Sequence, residues 1–207
     1  MTDQAGDDTL NARHNDKMRK LKAARDRMME KKTIEKGLLI VHTGNGKGKT
    51  SAALGMVFRH IGHDMPVGIV QFTKSAKWDT GEARLLNKFP DLVTLHIMGE
   101  GFTWETQDIK RDVAAAQAAW AKALELIGDP SIGLVVLDEL NIALRYDYLD
   151  LDDVVAALKG RRQDLHVVVT GRNAKPALIE AADLVTEMGA VKHHFTAGVK
   201  AQKGIEF

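Results

Sequence analysis

Apolar residues come in short runs separated by longer amphipathic stretches from Gly37 onward. The runs predict strands at Leu38–His42, Val67–Phe72, Val93–Met98, Leu134–Leu137, His166–Thr170 and Leu184–Met188. The stretches between them predict helices at Lys49–His60, Gly81–Lys88, Asp108–Ile127, Asp152–Lys159 and Pro176–Ala182. Nearly continuous apolar strands that alternate with helices are typical of a parallel sheet covered on both faces. We therefore predict an α/β fold with a mostly parallel sheet and helices on both faces.

The segment before Gly37 follows a different pattern. Residues 13–32 contain nine Lys/Arg and three Asp/Glu, and only a thin apolar edge of Leu21, Met28 and Met29. This composition predicts a basic helix, preceded by a disordered start over residues 1–12. The helix is either a solvated appendage or an arm that docks on an acidic or phosphate-bearing surface. We assign residues 1–36 to this arm and 37–207 to one domain, whose last stretch, 191–207, we expect to pack back on it.

Composition narrows the possible classes of function. The chain has 207 residues, 44% of them hydrophobic, and a net charge of +1. A charge so close to zero argues against a general nucleic-acid binder. The absence of cysteine rules out disulfides, thiolate metal sites and cysteine nucleophiles. No apolar run reaches membrane-spanning length and the N-terminus is polar, so we expect a cytoplasmic protein without a membrane segment.

A glycine-rich loop between the first predicted strand and helix carries the main candidate chemistry. It consists of Thr43, Gly44, Asn45, Gly46, Lys47, Gly48, Lys49 and Thr50, followed by Ser51. The pattern G-x-x-x-x-G-K-[ST] cradles nucleotide phosphates, and here only its first glycine is replaced, by Thr43. Backbone amides and the following helix N-terminus attract phosphate oxygens. Lys49 and Lys47 would add positive charge, and Thr50 would offer a hydroxyl to Mg²⁺.

Two carboxylates follow the fourth predicted strand. The sequence Val135-Val136-Leu137-Asp138-Glu139 fits the pattern in which an acid at a strand end holds the metal of a phosphate loop. Asp138 and Glu139 point in different directions if the chain remains extended, so only one of them need touch the metal directly. The loop and these acids together predict binding of ATP with a divalent metal.

Phosphate loops serve hydrolases, kinases and transferases, so the fold does not choose the reaction. The sequence contains no guanine-reading N-K-x-D motif, and none of its histidines lies in an obvious catalytic motif. His42 is interpreted as structural. One loop is unusual, because Gly99–Gln107 places Phe102 and Trp104 directly after two glycines in a chain that is only 5% aromatic. These two side chains either tuck into the core or form an apolar platform for a large flat ligand.

Four segments together resemble the ATP:corrinoid adenosyltransferases of the bacterial cobalamin pathway, the CobA/CobO/BtuR type. They are TGNGKGKT, GFTWETQ, VVLDEL and the closing VKHHFTAGVKAQKGIEF. The resemblance covers about Gly37 to Phe207, and the basic helix is similar in character. It implies transfer of the 5′-deoxyadenosyl group of ATP to the Co(I) centre of a corrinoid, with release of triphosphate. It further implies a homodimer with a RecA-like P-loop fold, ATP held in a reversed sense, and an electron-donating reductase or flavodoxin-like partner.

The resemblance also assigns roles to residues. Phe102 and Trp104 match an aromatic pair that crowds out the axial ligand of the corrin, which makes Co(II) easier to reduce. Thr50 and Glu139 match ligands of Mg²⁺ or Mn²⁺, with Asp138 beside them, and the arm would cover the partner subunit's site. A nucleotide contact by Arg59 is a further expectation, and Lys77–Glu82 resembles a loop near the substrate.

Two other classes stay open on the residues themselves. A P-loop NTPase or kinase would act at the γ-phosphate and release phosphate or ADP. An ATP-binding regulatory or nucleic-acid module would use the basic helix and need no corrinoid. Neither class requires the loop that carries Phe102 and Trp104.

Overall fold

The computed structural model describes residues 4–75, 79–99 and 108–206. The chain divides into two compact units, Met1–Glu35 and Lys36–Phe207. The first unit is a single helix, α1 (Gln4–Met29). Its edge residues Leu21, Met28 and Met29 are each 54% exposed. The helix begins earlier than predicted and includes most of the stretch expected to be disordered, since one glycine and no proline interrupt residues 4–12.

The second unit alternates strands and helices. Its strands are β1 (Leu39–Thr43), β2 (Val67–Ser75), β3 (Val93–Gly99), β4 (Leu134–Asp138), β5 (His166–Thr170) and β6 (Leu184–Glu187). Its helices are α2 (Lys49–Ile61), α3 (Gly81–Leu86), α4 (Ile109–Gly128), α5 (Leu140–Arg145), α6 (Leu151–Lys159) and α7 (Pro176–Ala181), with a 3-10 helix at His194–Ala197. Helix α5 and the 3-10 helix were not predicted. Both are too short to show a helical period in the sequence.

The described strands form one sheet in the order β3-β2-β4-β5-β1-β6, and every recorded pairing is parallel. The predicted α/β class is thus confirmed. Strand β5 lies between β1 and β4, so the glycine loop and the acids after β4 leave the same edge of the sheet one strand apart. Carboxyl ends of parallel strands form the ligand crevice in folds of this type.

The central strands β1, β4 and β5 are buried on both faces, which explains their continuous apolar runs, whereas the edge strand β6 is exposed. Leu39 and Val41 of β1 face one core, shared with α4, α5 and α6. Ile40 between them faces the other core, shared with Ala53 and Val57 of α2. Burial on two sides fixes the register of each strand, because a slip by one residue would exchange the two faces. The strand ends therefore keep fixed positions at the crevice.

Side chains at helix starts also follow the sequence. Asp108 accepts hydrogen bonds from the backbone of Lys110 and Arg111 at the start of α4. Asp150 caps α6 by accepting from the Asp153 amide. Within the described residues, none of the helices combines the length and the apolar character needed to cross a bilayer.

Candidate nucleotide site

The glycine loop joins the end of β1 to the start of α2. Backbone hydrogen bonds hold it against Met188, the residue directly after β6. The Met188 amide donates to Thr43 O at 2.9 Å, and the Gly46 amide donates to Met188 O at 2.6 Å. Gly44 has φ 94°, and a Cβ there would lie 2.5 Å from Met188 O. Only glycine fits this left-handed turn against a neighbouring backbone. The loop is thus open toward the cleft and packed on its other side.

Lys49 lies inside the loop and is 6% exposed. Its Nζ donates to Gly44 O at 2.9 Å and to Gly46 O at 2.5 Å. Burial lowers the pKa of this amine, while the nearby Glu139 carboxylate acts in the opposite direction. The ammonium is held by neutral carbonyls, which a phosphate anion can replace with stronger charge-assisted hydrogen bonds.

Asp138 lies behind the cleft at the end of β4, is 1% exposed, and is the shared acceptor, or hub, of several hydrogen bonds. Its Oδ1 accepts from the hydroxyls of Thr50 and Thr170, each at 2.8 Å, and its Oδ2 accepts from Gln71 Nε2 at 3.2 Å. The hub joins the start of α2 to the ends of β2, β4 and β5. Such a saturated carboxylate fixes the Thr50 hydroxyl at the mouth of the loop.

Glu139 follows directly and has a strained backbone, with φ 63° and ψ 23°. Its amide donates to Thr170 Oγ1 at 2.9 Å, which pins this left-handed residue in place. A side chain with a Cβ rarely adopts this conformation, and strain of this kind gathers at functional sites. Burial raises the pKa of the Glu139 carboxyl, and the adjacent Asp138 charge raises it further.

A cleft of about 510 Å³ opens at this edge of the sheet. Its lining is mostly polar and consists of Gly46, Lys47, Gly48, Lys49, Thr50, Ser51, Leu54, Lys74, Gly81, Glu82, Glu139, Arg172, Gly204, Ile205 and Glu206. The size suits a nucleotide-sized ligand. Four of these side chains are cationic and three are carboxylates, so the cleft keeps a small excess of positive charge that favours an anion.

The last residues of the chain form the outer wall of the cleft. Glu206 Oε2 pairs with Lys47 Nζ, and His194 Nε2 lies 3.2 Å from Glu206 Oε1. The hydrogen bond from Lys47 lowers the pKa of Glu206. Lys47 also lies over the ring of Phe195, 5.9 Å from its centroid. The expectation that the final stretch packs back on the domain is confirmed at Phe195 and at residues 204–206, whereas Val191 is fully exposed.

The donor set suits a magnesium ion that is carried mainly by a nucleotide. Among the described residues no group of three His, Cys, Asp or Glu side chains could hold a metal by itself. Mg²⁺ commonly takes one or two protein oxygens and completes its shell with phosphates and water. Thr50 and Glu139 present a hydroxyl and a carboxylate to the cleft. The elevated pKa of Glu139 marks a charge that a cation would stabilise.

The structure brings most of the predicted site residues together. The loop from Gly46 to Ser51 and Glu139 line one cleft, with Asp138 buried behind them. Thr43 is 6% exposed and bonds the Ala174 amide, whereas Asn45 is exposed and does not line the cleft. Arg59 is exposed in the last turn of α2 and also lies off the cleft lining. Phe102 and Trp104, like Lys77 and Trp78, lie outside the described residues.

Three charged cleft residues were not predicted as site residues: Lys74, Arg172 and Glu206, whereas Glu82 ends the Lys77–Glu82 segment that was expected near the substrate. Lys74 was missed because β2 extends beyond the predicted end at Phe72. It pairs with Glu82 at 2.7 Å and lies 3.8 Å from Asp138 Oδ2. Arg172 comes two residues after the end of β5, so the rule about strand ends could have identified it. His42 is buried, with Nδ1 3.3 Å from Lys49 O, in agreement with a structural role.

Comparison with known proteins adds an independent line of inference. Residues 35–207 match the family model described as ATP:corrinoid adenosyltransferase BtuR/CobO/CobP, and residues 1–29 match the model described as Cob(I)alamin adenosyltransferase N terminal. The corrinoid adenosyltransferase of Pseudomonas aeruginosa is 57% identical over 94% of this chain and 96% of its own. That of Sinorhizobium sp is 59% identical, covering 95% and 92%.

More distant proteins are similar as well. Corrinoid adenosyltransferase CobA of Salmonella typhimurium is 44% identical over 94% of this chain and 98% of its own. Among solved structures, the KaiC-like protein PH0186 from Pyrococcus horikoshii OT3 is similar at a TM-score of 0.46 and 16% identity, covering 76% of this chain and 74% of that one. That structural likeness is too weak to support an argument.

Proposed function

This chain belongs to the ATP:corrinoid adenosyltransferase family BtuR/CobO/CobP, and on that premise we propose how its cleft performs the transfer. The chain is a corrinoid adenosyltransferase whose substrates are ATP and a corrinoid. The observation that carries the proposal is the single cleft that combines the glycine loop, the buried Lys49 and the strand-end carboxylates. We assign that cleft to the triphosphate of ATP.

The triphosphate is the leaving group in this reaction. The Co(I) nucleophile attacks the ribose C5′, a Co–C bond forms, and the C5′–O bond breaks with its electron pair departing on the triphosphate. Lys49 and the loop amides stabilise the charge that develops there. Lys47 adds a second cation once it exchanges Glu206 for a phosphate oxygen. No general base is needed, because Co(I) has no proton to lose.

Thr50 and Glu139 are the residues that would hold Mg²⁺ or Mn²⁺ in this cleft. A bound divalent cation would neutralise part of the triphosphate charge. Asp138 instead acts behind them, because its oxygens already accept from Thr50, Thr170 and Gln71. Ser51 lines the cleft beside Thr50 and is assigned to a phosphate contact. Arg59 remains a predicted nucleotide contact that its place on α2 does not support.

Phe102 and Trp104 are proposed to displace the lower axial ligand of the corrin. The support is the intact GFTWETQ segment. Loss of the axial donor lowers the energy of the cobalt orbital that accepts the electron, so reduction of Co(II) becomes easier. Phe102→Ala and Trp104→Ala should therefore reduce activity with Co(II) plus reductant far more than activity with pre-reduced Co(I). Equal activity of wild type and both variants from Co(II) would contradict this role.

The basic helix α1 is proposed as an arm that covers the corrinoid site of a partner subunit in a homodimer. Its support is the charge pattern and the match of residues 1–29 to an N-terminal family model. Deletion of residues 1–36 should weaken corrinoid binding while ATP binding stays intact, as measured by separate titrations. Unchanged corrinoid affinity would count against the arm. Sedimentation of the full chain tests the dimer.

The remaining proposals concern the cellular setting. Reduction of Co(II) requires an electron donor, and we assign this role to a reductase or flavodoxin-like protein. A cytoplasmic location, where such donors and ATP occur, stays a prediction.

The decisive experiment follows the products of the complete reaction. The protein is incubated with ATP, Mg²⁺ and chemically reduced cobinamide, and Co–C bond formation is followed by absorbance. Phosphorus NMR then identifies the nucleotide product. Triphosphate in equal amount to the Co–C bond supports the proposal. ADP or phosphate without a Co–C bond would instead support the NTPase or kinase class.

A further inference from the structure

Arg172 is a cation in the nucleotide cleft that neither the phosphate-loop pattern nor the strand-end acids include. It lines the cleft together with Lys47, Lys49 and Glu139. Its charge acts on both Lys49 and Glu139. Within the described parts of the chain its guanidinium has no hydrogen bond or ion pair, whereas Lys47 and Lys74 are paired with Glu206 and Glu82. Arg172 is thus free to take an anionic ligand.

The backbone on both sides of Arg172 is anchored to β1. On one side the Gly171 amide donates to His42 O at 3.2 Å, and Gly171 O accepts from the buried Asn141 Nδ2 at 3.0 Å. On the other side the Ala174 amide donates to Thr43 Oγ1 at 3.1 Å. The Arg172 side chain is exposed, while these hydrogen bonds hold the backbone on both sides of it in place.

Gly171 is required for this close approach. It has φ 127°, and a Cβ there would lie 2.7 Å from Asn141 Cβ and 3.1 Å from Glu139 Oε2. A side chain at this position would force the backbone of residues 171–174 away from Asn141 and Glu139. The glycine thus places the next residue, Arg172, beside the carboxylate assigned to the metal.

The hydroxyl of Thr43, at the position where the phosphate loop departs from its pattern, accepts a hydrogen bond from the Ala174 amide. The first position is normally glycine, and glycine has no side chain to hold the Ala174 amide. Thr43 is 6% exposed, so its bond to Ala174 is sheltered from water. The departure from the motif therefore couples the glycine loop to the segment that carries Arg172.

We propose that Arg172 is a catalytic residue that binds the departing triphosphate, and that Thr43 is the positioning residue that holds its segment. The inference rests on the proposed function of the cleft. A planar guanidinium binds two phosphate oxygens at once, so it suits a leaving group that gains charge as the C5′–O bond breaks. Residues 43 and 172 thereby act as one unit on the triphosphate side.

Binding of inorganic tripolyphosphate with Mg²⁺, measured by calorimetry on the full chain, tests the first half. Arg172→Ala should weaken this binding roughly 10- to 100-fold, and Arg172→Lys should recover only part of it. Arg145→Ala is the matched control, because Arg145 is exposed and lies off the cleft lining, and it should bind as wild type does. Wild-type affinity in Arg172→Ala would overturn the assignment.

A double-mutant cycle tests the second half. Thr43→Val keeps the shape of the side chain and removes the hydroxyl, so it should weaken tripolyphosphate binding about 3- to 10-fold, whereas Thr43→Ser should retain it. In the Arg172→Ala background, Thr43→Val should cost almost nothing further. An equal loss in both backgrounds would overturn the positioning role.

This outcome is separable from the proposed function. Tripolyphosphate binding needs no corrinoid and no adenosyl transfer, so it reports on Arg172 whatever the reaction proves to be. Conversely, wild-type protein that forms no Co–C bond would refute the function and leave the binding result intact.

Discussion

The two walls of the nucleotide cleft are built in opposite ways. The inner wall is formed by strand ends, where Asp138 is 1% exposed and accepts from Thr50 and Thr170 at 2.8 Å. The outer wall is formed by the last residues, where Lys47 and Glu206 pair with side-chain exposures of 47% and 13%. Hydrogen bonds gain strength and precision in a dry interior, whereas exposed ion pairs contribute little. The inner wall is therefore suited to hold reacting groups in fixed positions. The outer wall is suited to release its ion pair when a ligand binds.

The contrast also clarifies how the cleft can bind a highly charged ligand. Within the described part of the chain, Lys49 donates to Gly44 O and Gly46 O and forms no ion pair, so a triphosphate can displace these neutral acceptors. On the outer wall, Lys47 must first leave Glu206. The same glycine loop thus carries Lys49, which can bind the ligand directly, and Lys47, which must first break an ion pair.

Removal of a hydroxyl from the inner wall should have the largest effect on stability. Thr170→Val removes the donor to Asp138 and leaves the Glu139 amide without its acceptor. An unsatisfied buried group of this kind costs about 1–3 kcal/mol in the free energy of unfolding. Denaturant titration measures the loss, with Thr186→Val on the exposed strand β6 as a control. Equal stabilities of these two variants would contradict the distinction between the walls.

Neutralising Glu139 should have a smaller effect, and one of opposite sign. Burial raises its pKa in the folded chain above the unfolded value, so its ionised form destabilises the fold at pH 7. Glu139→Gln should therefore unfold later than wild type at pH 7 in a chelator. The advantage should shrink as the pH falls through the elevated folded pKa, where wild type is protonated too.

The control for this prediction is Glu180→Gln, a change at an exposed carboxylate on α7. Thermal unfolding between pH 4 and pH 8 gives the comparison for both variants. A Glu139→Gln variant that is less stable than wild type at pH 7 would show that the carboxylate is satisfied in the folded chain. It would then be no candidate for a metal ligand that is relieved by binding.

The smallest effect is expected on the outer wall. Lys47 lowers the pKa of Glu206, so the pair stabilises the fold above the unfolded pKa of the carboxyl, and this is lost as pH falls through the lower folded pKa. Glu206→Gln should cost less than about 1 kcal/mol at pH 7 and less still in high salt. Denaturant titration at two salt concentrations measures this. A loss as large as that of Thr170→Val would mean that both walls are equally rigid.

The sequence by itself determined the parts of this protein whose signals are local. All the predicted strands and helices of the domain are present, since apolar runs buried on two faces leave a continuous pattern. The glycine loop and the Asp138-Glu139 pair are contiguous motifs, so each was identified with its flanking strand. The segment with Phe102 and Trp104 carried the family resemblance in the same way.

Only the tertiary structure decided how these pieces meet. Thr43 bonds Ala174 across 131 positions, and Lys47 bonds Glu206 across 159. No periodicity or spacing records such contacts, because they depend on which strand ends the sheet places side by side. The order β4-β5-β1 brings Arg172 to the cleft. It also places Thr43, at the first position of the loop, within hydrogen-bonding distance of the Ala174 amide. The sequence supplied the phosphate-binding loop, and the packing of distant segments supplied the residues that face it.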